Sequence, residues 1–140
     1  MSTPPLPPEA QELLRRANPC VMATLRSDGT PVSTPTWYLW EDGRALISLD
    51  EGRVRLQHLR RDPRVTLTVL DGDDWYTHVT LIGRVVEMNE DEGLADIDRI
   101  STHYTGKPYP DGVRPRVSAW IEVERWHGWG AMKDSGQAST

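Results

Sequence analysis

The chain has one cysteine, Cys20, among its 140 residues. That excludes an intrachain disulfide and any cysteine-based metal cage. It also lacks a long apolar run: none approaches the roughly 20 residues that a membrane helix requires. Residues 1–8 are proline-rich without the basic-then-apolar order of a signal peptide, so the cytoplasm is the expected location. Positive charge is in deficit overall, with a net charge of −5. Broad nucleic-acid binding rests on neutralising phosphates and is not expected. The histidines at 58, 78, 103 and 127 show no close ligand spacing such as His-x-x-x-His. Asp71, Asp73 and Asp74 lack the distant glutamate of a calcium loop and read as a turn. No metal site is therefore expected. Cys20 opens a strand and reads as a small packed apolar residue, since nothing nearby in the sequence would activate a thiolate.

What remains is an ordinary soluble composition, 37% hydrophobic and 26% charged. A chain of this length forms one domain and buries roughly two-thirds of its unfolded surface. Arg53, Arg55, Arg60, Arg61 and Arg64 fall within one short stretch of this acidic chain. Such a local cationic patch suits a small anionic ligand better than a polymer. A solvated helix face is the alternative reading of the same run. Arginine far outnumbers lysine, a composition typical of GC-rich genomes.

Residues 1–7 read as a flexible or extended N-terminus, because proline fixes φ and removes donors. Pro8 suits the first turn of a short helix buried through Leu13, Leu14 and Ala17, which Asn18-Pro19 ends. Cys20–Leu25 is a strand, Ser27-Asp28-Gly29-Thr30 a hairpin turn, and residues 32–40 the partner strand. Pro35 breaks a central ladder, so the middle of that partner is expected to be irregular or ligand-facing. Residues 45–49 form a third strand. Val54, Leu56 and Leu59 then set a helical period over 53–61, stopped by Asp62-Pro63. Val65, Leu67 and Val69 alternate with Thr66 and Thr68 in a fourth strand. Residues 75–88 form a long fifth strand in which Gly83 marks a bulge or bend. Asn89 caps a helix over 90–104 whose face carries Leu94, Ile97 and Tyr104. A Gly/Pro/Tyr-rich loop at 103–115 precedes a last strand over 117–126. Residues 131–140 read as a flexible tail, leaving 8–130 as the folded domain. The order predicts a mainly β fold with a few helices, closing as a six-stranded antiparallel barrel.

Several strings in this order resemble one superfamily, the pyridoxamine-phosphate-oxidase-like split β-barrels, which have FMN-dependent and F420-dependent branches. Ala23-Thr24-Leu25, Asp28-Gly29 and Pro31-Val32 resemble its opening hairpin. Pro35-Thr36-Trp37-Tyr38 resembles its second strand, along the flavin ring, and Ile47-Ser48-Leu49 its third. Arg53-Val54-Arg55 followed by His58-Leu59-Arg60-Arg61-Asp62-Pro63-Arg64-Val65 resembles its basic, Asn-Leu, Asp-Pro-Arg-Val signature, and Gly83-Arg84-Val85 its fifth strand. The likeness covers about residues 10–126. Arg55 stands where the family has lysine, and His58 where it has asparagine. Arg55 keeps the charge and can grip phosphate bidentately. His58 is read as altering a helix cap or nothing.

The resemblance implies an FMN-binding split-barrel homodimer with cofactor sites at its interface. It implies an oxidoreductase that transfers a hydride from reduced coenzyme F420, a deazaflavin, to a small unsaturated substrate. The Leu-Arg-Arg-Asp-Pro-Arg-Val run, the short chain and the arginine-rich composition favour F420. An FMN-dependent oxidase or reductase of the same fold is one alternative, and a non-enzymatic deazaflavin- or haem-binding protein another. The implied cofactor contacts are Thr34, Pro35, Thr36, Trp37, Ile47, Ser48, Leu49, Arg53, Arg55 and Gln57. The implied substrate walls are Trp75, Tyr104, Tyr109 and Trp129, some from a second subunit. Core or dimer packing explains Trp75, Trp126 and Trp129 equally well. No catalytic acid or base is assigned, because hydride transfer demands face-to-face geometry more than a base.

Overall fold

Residues 31–36 and 39–41 lie at opposite edges of one sheet, although only Trp37 and Tyr38 separate them. This is a computed structural model, and it describes residues 1–133. Strands β1 (Cys20–Leu25), β2 (Pro31–Thr36), β3 (Leu39–Glu41), β4 (Arg44–Asp50), β5 (Arg64–Asp71), β6 (Asp74–Glu90) and β7 (Arg116–Trp129) form one antiparallel sheet in the order β2-β1-β5-β6-β7-β4-β3. The sheet curls until its two edges are joined by that two-residue step, yet β2 and β3 do not pair. The result is a split barrel.

The strand expected over 32–40 is therefore two strands, and the sheet has seven rather than six. The cause lies at the step. Tyr38 turns inward, is 1% exposed, and donates its hydroxyl to the Leu14 carbonyl at 2.6 Å. Trp37 turns outward. Pro35 sits on the outer edge strand, where its missing N–H costs no ladder bond.

The interior follows from alternation. Val65, Leu67 and Val69 of β5 are buried and Thr66 and Thr68 half-buried. Ala45, Ile47 and Leu49 of β4 join the same core, with Leu13 and Leu14 of α1 (Pro8–Arg15) and Leu56 and Leu59 of α2 (Val54–Arg61) covering it. Gly83 lies where β6 shifts register against β7, and a Cβ there would meet the Glu122 carbonyl oxygen at 2.0 Å. Only glycine permits that approach.

Helix α3 (Ala95–Thr105) begins later than expected. Asn89 still belongs to β6, where it pairs with Ser118. The N-cap residue is Leu94, and the acceptors come from further back: the Asp91 carboxylate accepts from Asp96 N at 2.8 Å and Ile97 N at 2.9 Å. Leu94, expected on the helix face, is instead held at φ 57° just before the helix.

At the start of the chain, Ser2 exchanges backbone hydrogen bonds of 2.9 Å with Trp126, and Leu6 is buried. At the other end, residues 130–132 form a 3₁₀ turn in which Ala131 N donates to Thr77 Oγ1 at 3.1 Å. Residues 134–140 of the expected tail lie outside the described residues. Among the described residues no helix is long and apolar enough to cross a membrane.

Candidate active site

A cavity of about 650 Å³ opens where β1, the β2–β3 step, β4, α2, α3 and the 106–115 loop meet. Its aromatic wall is built by Trp37 from the step and Tyr104 from α3. The two rings stack with centroids 5.2 Å apart and planes 10° from parallel. Tyr109 meets Trp37 edge-on at 6.4 Å. The rest of the lining is largely apolar: Ala17, Pro19, Val21, Ile97 and Ile100, with Cys20 at its edge.

The Tyr104 hydroxyl donates to the Asn18 carbonyl at 2.8 Å. Burial, then neighbouring Cys20, raises its pKa well above the ordinary phenol value. It stays a committed donor. Burial likewise pushes the Cys20 thiol up to about 12, so it remains protonated and packs as an apolar group.

The polar wall comes from β4, α2 and the start of β7. Along β4, Ser48 faces the cavity while Ile47 and Leu49 point into the core. Arg116 of β7 donates from Nε to Ser48 Oγ at 2.8 Å and from Nη2 to the Ser48 carbonyl at 3.3 Å. Its Nη1 pairs with Asp50 Oδ1, and its guanidinium lies 4.9 Å from the Tyr109 ring centroid. Asp50 also takes Arg53 Nε at 3.0 Å and Arg114 Nη1 at 3.4 Å. Burial pushes the Asp50 carboxyl up, but Arg53, Arg116 and Arg114 outweigh it and hold the pKa below the usual carboxylate range.

Arg55 enters the cavity from the first turn of α2. Its Nη1 is buried with no hydrogen-bond partner. Burial, then the charges of Arg53 and Arg116, lowers its pKa, and Asp50 opposes this. Among the described residues, the other buried side-chain nitrogens without partners, on Trp40, Trp126 and His127, lie outside the cavity lining. An unpaired buried guanidinium N–H costs free energy until an acceptor reaches it. An anion is the matching acceptor.

The structure thus brings together Pro35, Thr36, Trp37, Ser48, Arg55, Tyr104 and Tyr109 from the sequence-derived set. It places the others elsewhere. Thr34 is half-buried on β2 opposite Met22. Ile47 and Leu49 are fully buried. Arg53 is exposed and paired with Asp50, and Gln57 is exposed on α2. Trp75 is 75% exposed just past the β5–β6 turn. Trp129 is half-buried opposite His78, with the Lys133 ammonium 4.6 Å above its ring. Gly52 takes φ 91° for the turn into α2, and a Cβ there would meet nothing within 4 Å.

His58 is buried on α2, its Nδ1 2.9 Å from Thr24 Oγ1. The histidine thus ties α2 to β1. Sequence reasoning missed Arg116, Ile97 and Ile100 as lining. Among the described residues no group of three or more His, Cys, Asp or Glu side chains could hold a metal ion.

The chain matches the pyridoxamine 5′-phosphate oxidase family over residues 6–130, and it belongs to that family. Solved structures share its fold. An F420 reductase is 24% identical with a TM-score of 0.78, over 86% of this chain and 98% of that one. A conserved hypothetical protein of Mycobacterium tuberculosis is 23% identical with a TM-score of 0.69, over 99% and 96%. General stress protein 26 of Bacillus anthracis is 16% identical with a TM-score of 0.64, over 86% and 91%.

Proposed function

We propose that this chain is an F420-dependent reductase of a small unsaturated substrate, working as a homodimer. The observation that carries the reading is the unpaired, buried Nη1 of Arg55 at a cavity with a flat aromatic wall. A deazaflavin cofactor is an anionic tail joined to a flat ring, and the cavity offers a partner to each part. Arg55 holds the anion at the start of α2, where free backbone N–H groups add to the attraction. Pro35, Thr36, Trp37 and Ser48, which line the cavity, would contact the ring. When bound, the reduced cofactor supplies the hydride. The residues of this chain orient it, and Ile97, Ile100 and Tyr104 keep water from the exposed face.

A second copy fits the outer face of the sheet. Pro35, Val21, Thr68, Thr80 and His127 are successive cross-strand partners over five strands, so they form one row on that face. The row has no carboxylate, lysine or arginine, and Thr68 and Thr80 satisfy each other at 3.0 Å. Pro35 and Val21 also line the cavity. A copy seated on this row closes the cavity from outside, and the exposed Trp75 and half-buried Trp129 then reach a site only across the interface.

Turnover tests the reading. Purified protein with reduced F420 and a panel of enones, quinones and nitroaromatics should consume the cofactor's reducing equivalents with at least one acceptor. Binding of F420 without turnover on any acceptor would instead make this a deazaflavin-binding protein.

A further inference from the structure

Arg116 spends all three of its guanidinium nitrogens on β4: Nε on Ser48 Oγ at 2.8 Å, Nη2 on the Ser48 carbonyl at 3.3 Å, and Nη1 on Asp50. Its side chain is 10% exposed and that of Asp50 8%. Ser48 is itself 7% exposed and lines the cavity. Because its Oγ accepts from Arg116, the hydroxyl proton must point elsewhere, and among the described residues the Oγ makes no other side-chain hydrogen bond. Of the other three hydroxyls that line the cavity, two are spent: Thr36 donates to the Trp37 carbonyl at 3.3 Å and Tyr104 to the Asn18 carbonyl at 2.8 Å, while Tyr109 belongs to the aromatic wall. Ser48 therefore carries a free O–H at the cavity, polarised from behind by a cation that a buried carboxylate fixes in place.

We infer that Arg116 is a positioning residue that acts through Ser48, aiming the Ser48 hydroxyl at an acceptor atom on the edge of the bound ring, with Asp50 holding Arg116 in register. This rests on the reading of the cavity as a cofactor site. The chain Asp50–Arg116–Ser48 crosses the β4–β7 seam, where Ser48 pairs with Ser118 and Asp50 with Arg116. It places the donor in the same cavity as the aromatic wall. A hydrogen bond strengthened by a charge behind the donor favours ring states that carry more negative charge at that edge. The binding of the ring and its electronic spectrum then both depend on a residue that does not touch it. The same guanidinium packs over Tyr109, so the 106–115 loop is held to the same support.

The test is an absorption spectrum of F420, and separately of FMN, bound to the full chain and to four variants: Ser48→Ala, Arg116→Met, Arg116→Lys and the Ser48→Ala/Arg116→Met double variant. Ser48→Ala should shift the absorption maximum of the bound ring and weaken binding about 3- to 10-fold. Arg116→Met should reproduce the same shift, and the double variant should add nothing further, as expected for residues acting in series. Arg116→Lys should also shift it, because an ammonium keeps the charge without the planar fork that spans Ser48 and Asp50. A wild-type spectrum in Arg116→Met alongside a shifted one in Ser48→Ala would overturn the relay and leave the site reading intact, and a wild-type spectrum in Ser48→Ala would overturn it outright. Failure of the wild type to bind either probe would remove the cofactor reading itself, and the relay with it.

Discussion

Trp37 and Tyr104 stack with ring centroids 5.2 Å apart and planes 10° from parallel, although 67 positions separate them in the chain. The contact joins the step between the two sheet edges to helix α3. It sets the aromatic wall of the cavity. Trp37 keeps 36% of its surface exposed, so its packing contributes less to the fold than to the site. Trp37→Ala should reduce F420 affinity about tenfold and leave the thermal midpoint nearly unchanged. A titration of that variant beside a melting curve checks both. A large fall in the melting point with unchanged affinity would make Trp37 a structural residue.

The unpaired Nη1 of Arg55 gives the sharpest electrostatic expectation. Arg55→Glu places a carboxylate where the anionic tail is expected. Affinity should fall at least about tenfold. The fold should persist, because α2 keeps Leu56, His58 and Leu59 buried. Binding unchanged from wild type would detach the anion from Arg55.

Asn18 supports the cavity from beneath. Its Nδ2 donates to the Leu13 carbonyl at 2.8 Å, its Oδ1 accepts from Gly72 N at 3.1 Å, and its carbonyl accepts from Tyr104. Asn18→Ala removes both side-chain bonds and leaves the Tyr104 bond in place. It should cost about 2 kcal/mol in chemical denaturation. A cost near zero would mean that water replaces the amide at both ends.

His127 is expected to make the stability of the fold depend on pH. Burial, then the neighbouring charge of His78, holds its pKa below the ordinary 6.5, and its Nδ1 is buried without a partner. The neutral form is therefore the folded one. Well above pH 6.5 the group is neutral in both states and stability does not depend on it. As pH falls below 6.5 the unfolded chain takes up the proton first, so stability declines. His127→Gln should flatten the decline in melting temperature between about pH 7 and pH 5. An equal decline in the variant would assign it to other groups.

Much of this was legible in the residues. The alternation of Val65, Leu67 and Val69 predicts a half-buried strand, and the structure has one. Gly83 predicts a bulge, and the register shifts there. The break between β2 and β3 was not legible. Thr36-Trp37-Tyr38-Leu39 contains only good strand formers, and nothing marks the step where the chain changes edges. Pro35 signalled an irregularity without locating it. Arg116 was hidden differently. It follows a Pro/Gly-rich loop and reads as a strand boundary, and only the pairing of β4 with β7 brings it to Ser48, 68 residues away. The resemblance of Ile47-Ser48-Leu49 to the family's third strand implies all three as cofactor contacts, yet only Ser48 lines the cavity. The two-residue period of a strand sends Ile47 and Leu49 to the opposite face.

The central claim is that the cavity takes a deazaflavin, and the direct test is a titration of the purified protein with F420 and, separately, with FMN, following quenching of its six tryptophans. A deazaflavin site should give tight, saturable quenching by F420 and much weaker quenching by FMN. Tight quenching by FMN alone would contradict the deazaflavin assignment and move the chain to the flavin-dependent branch of its family. Quenching by neither would contradict the cofactor reading altogether.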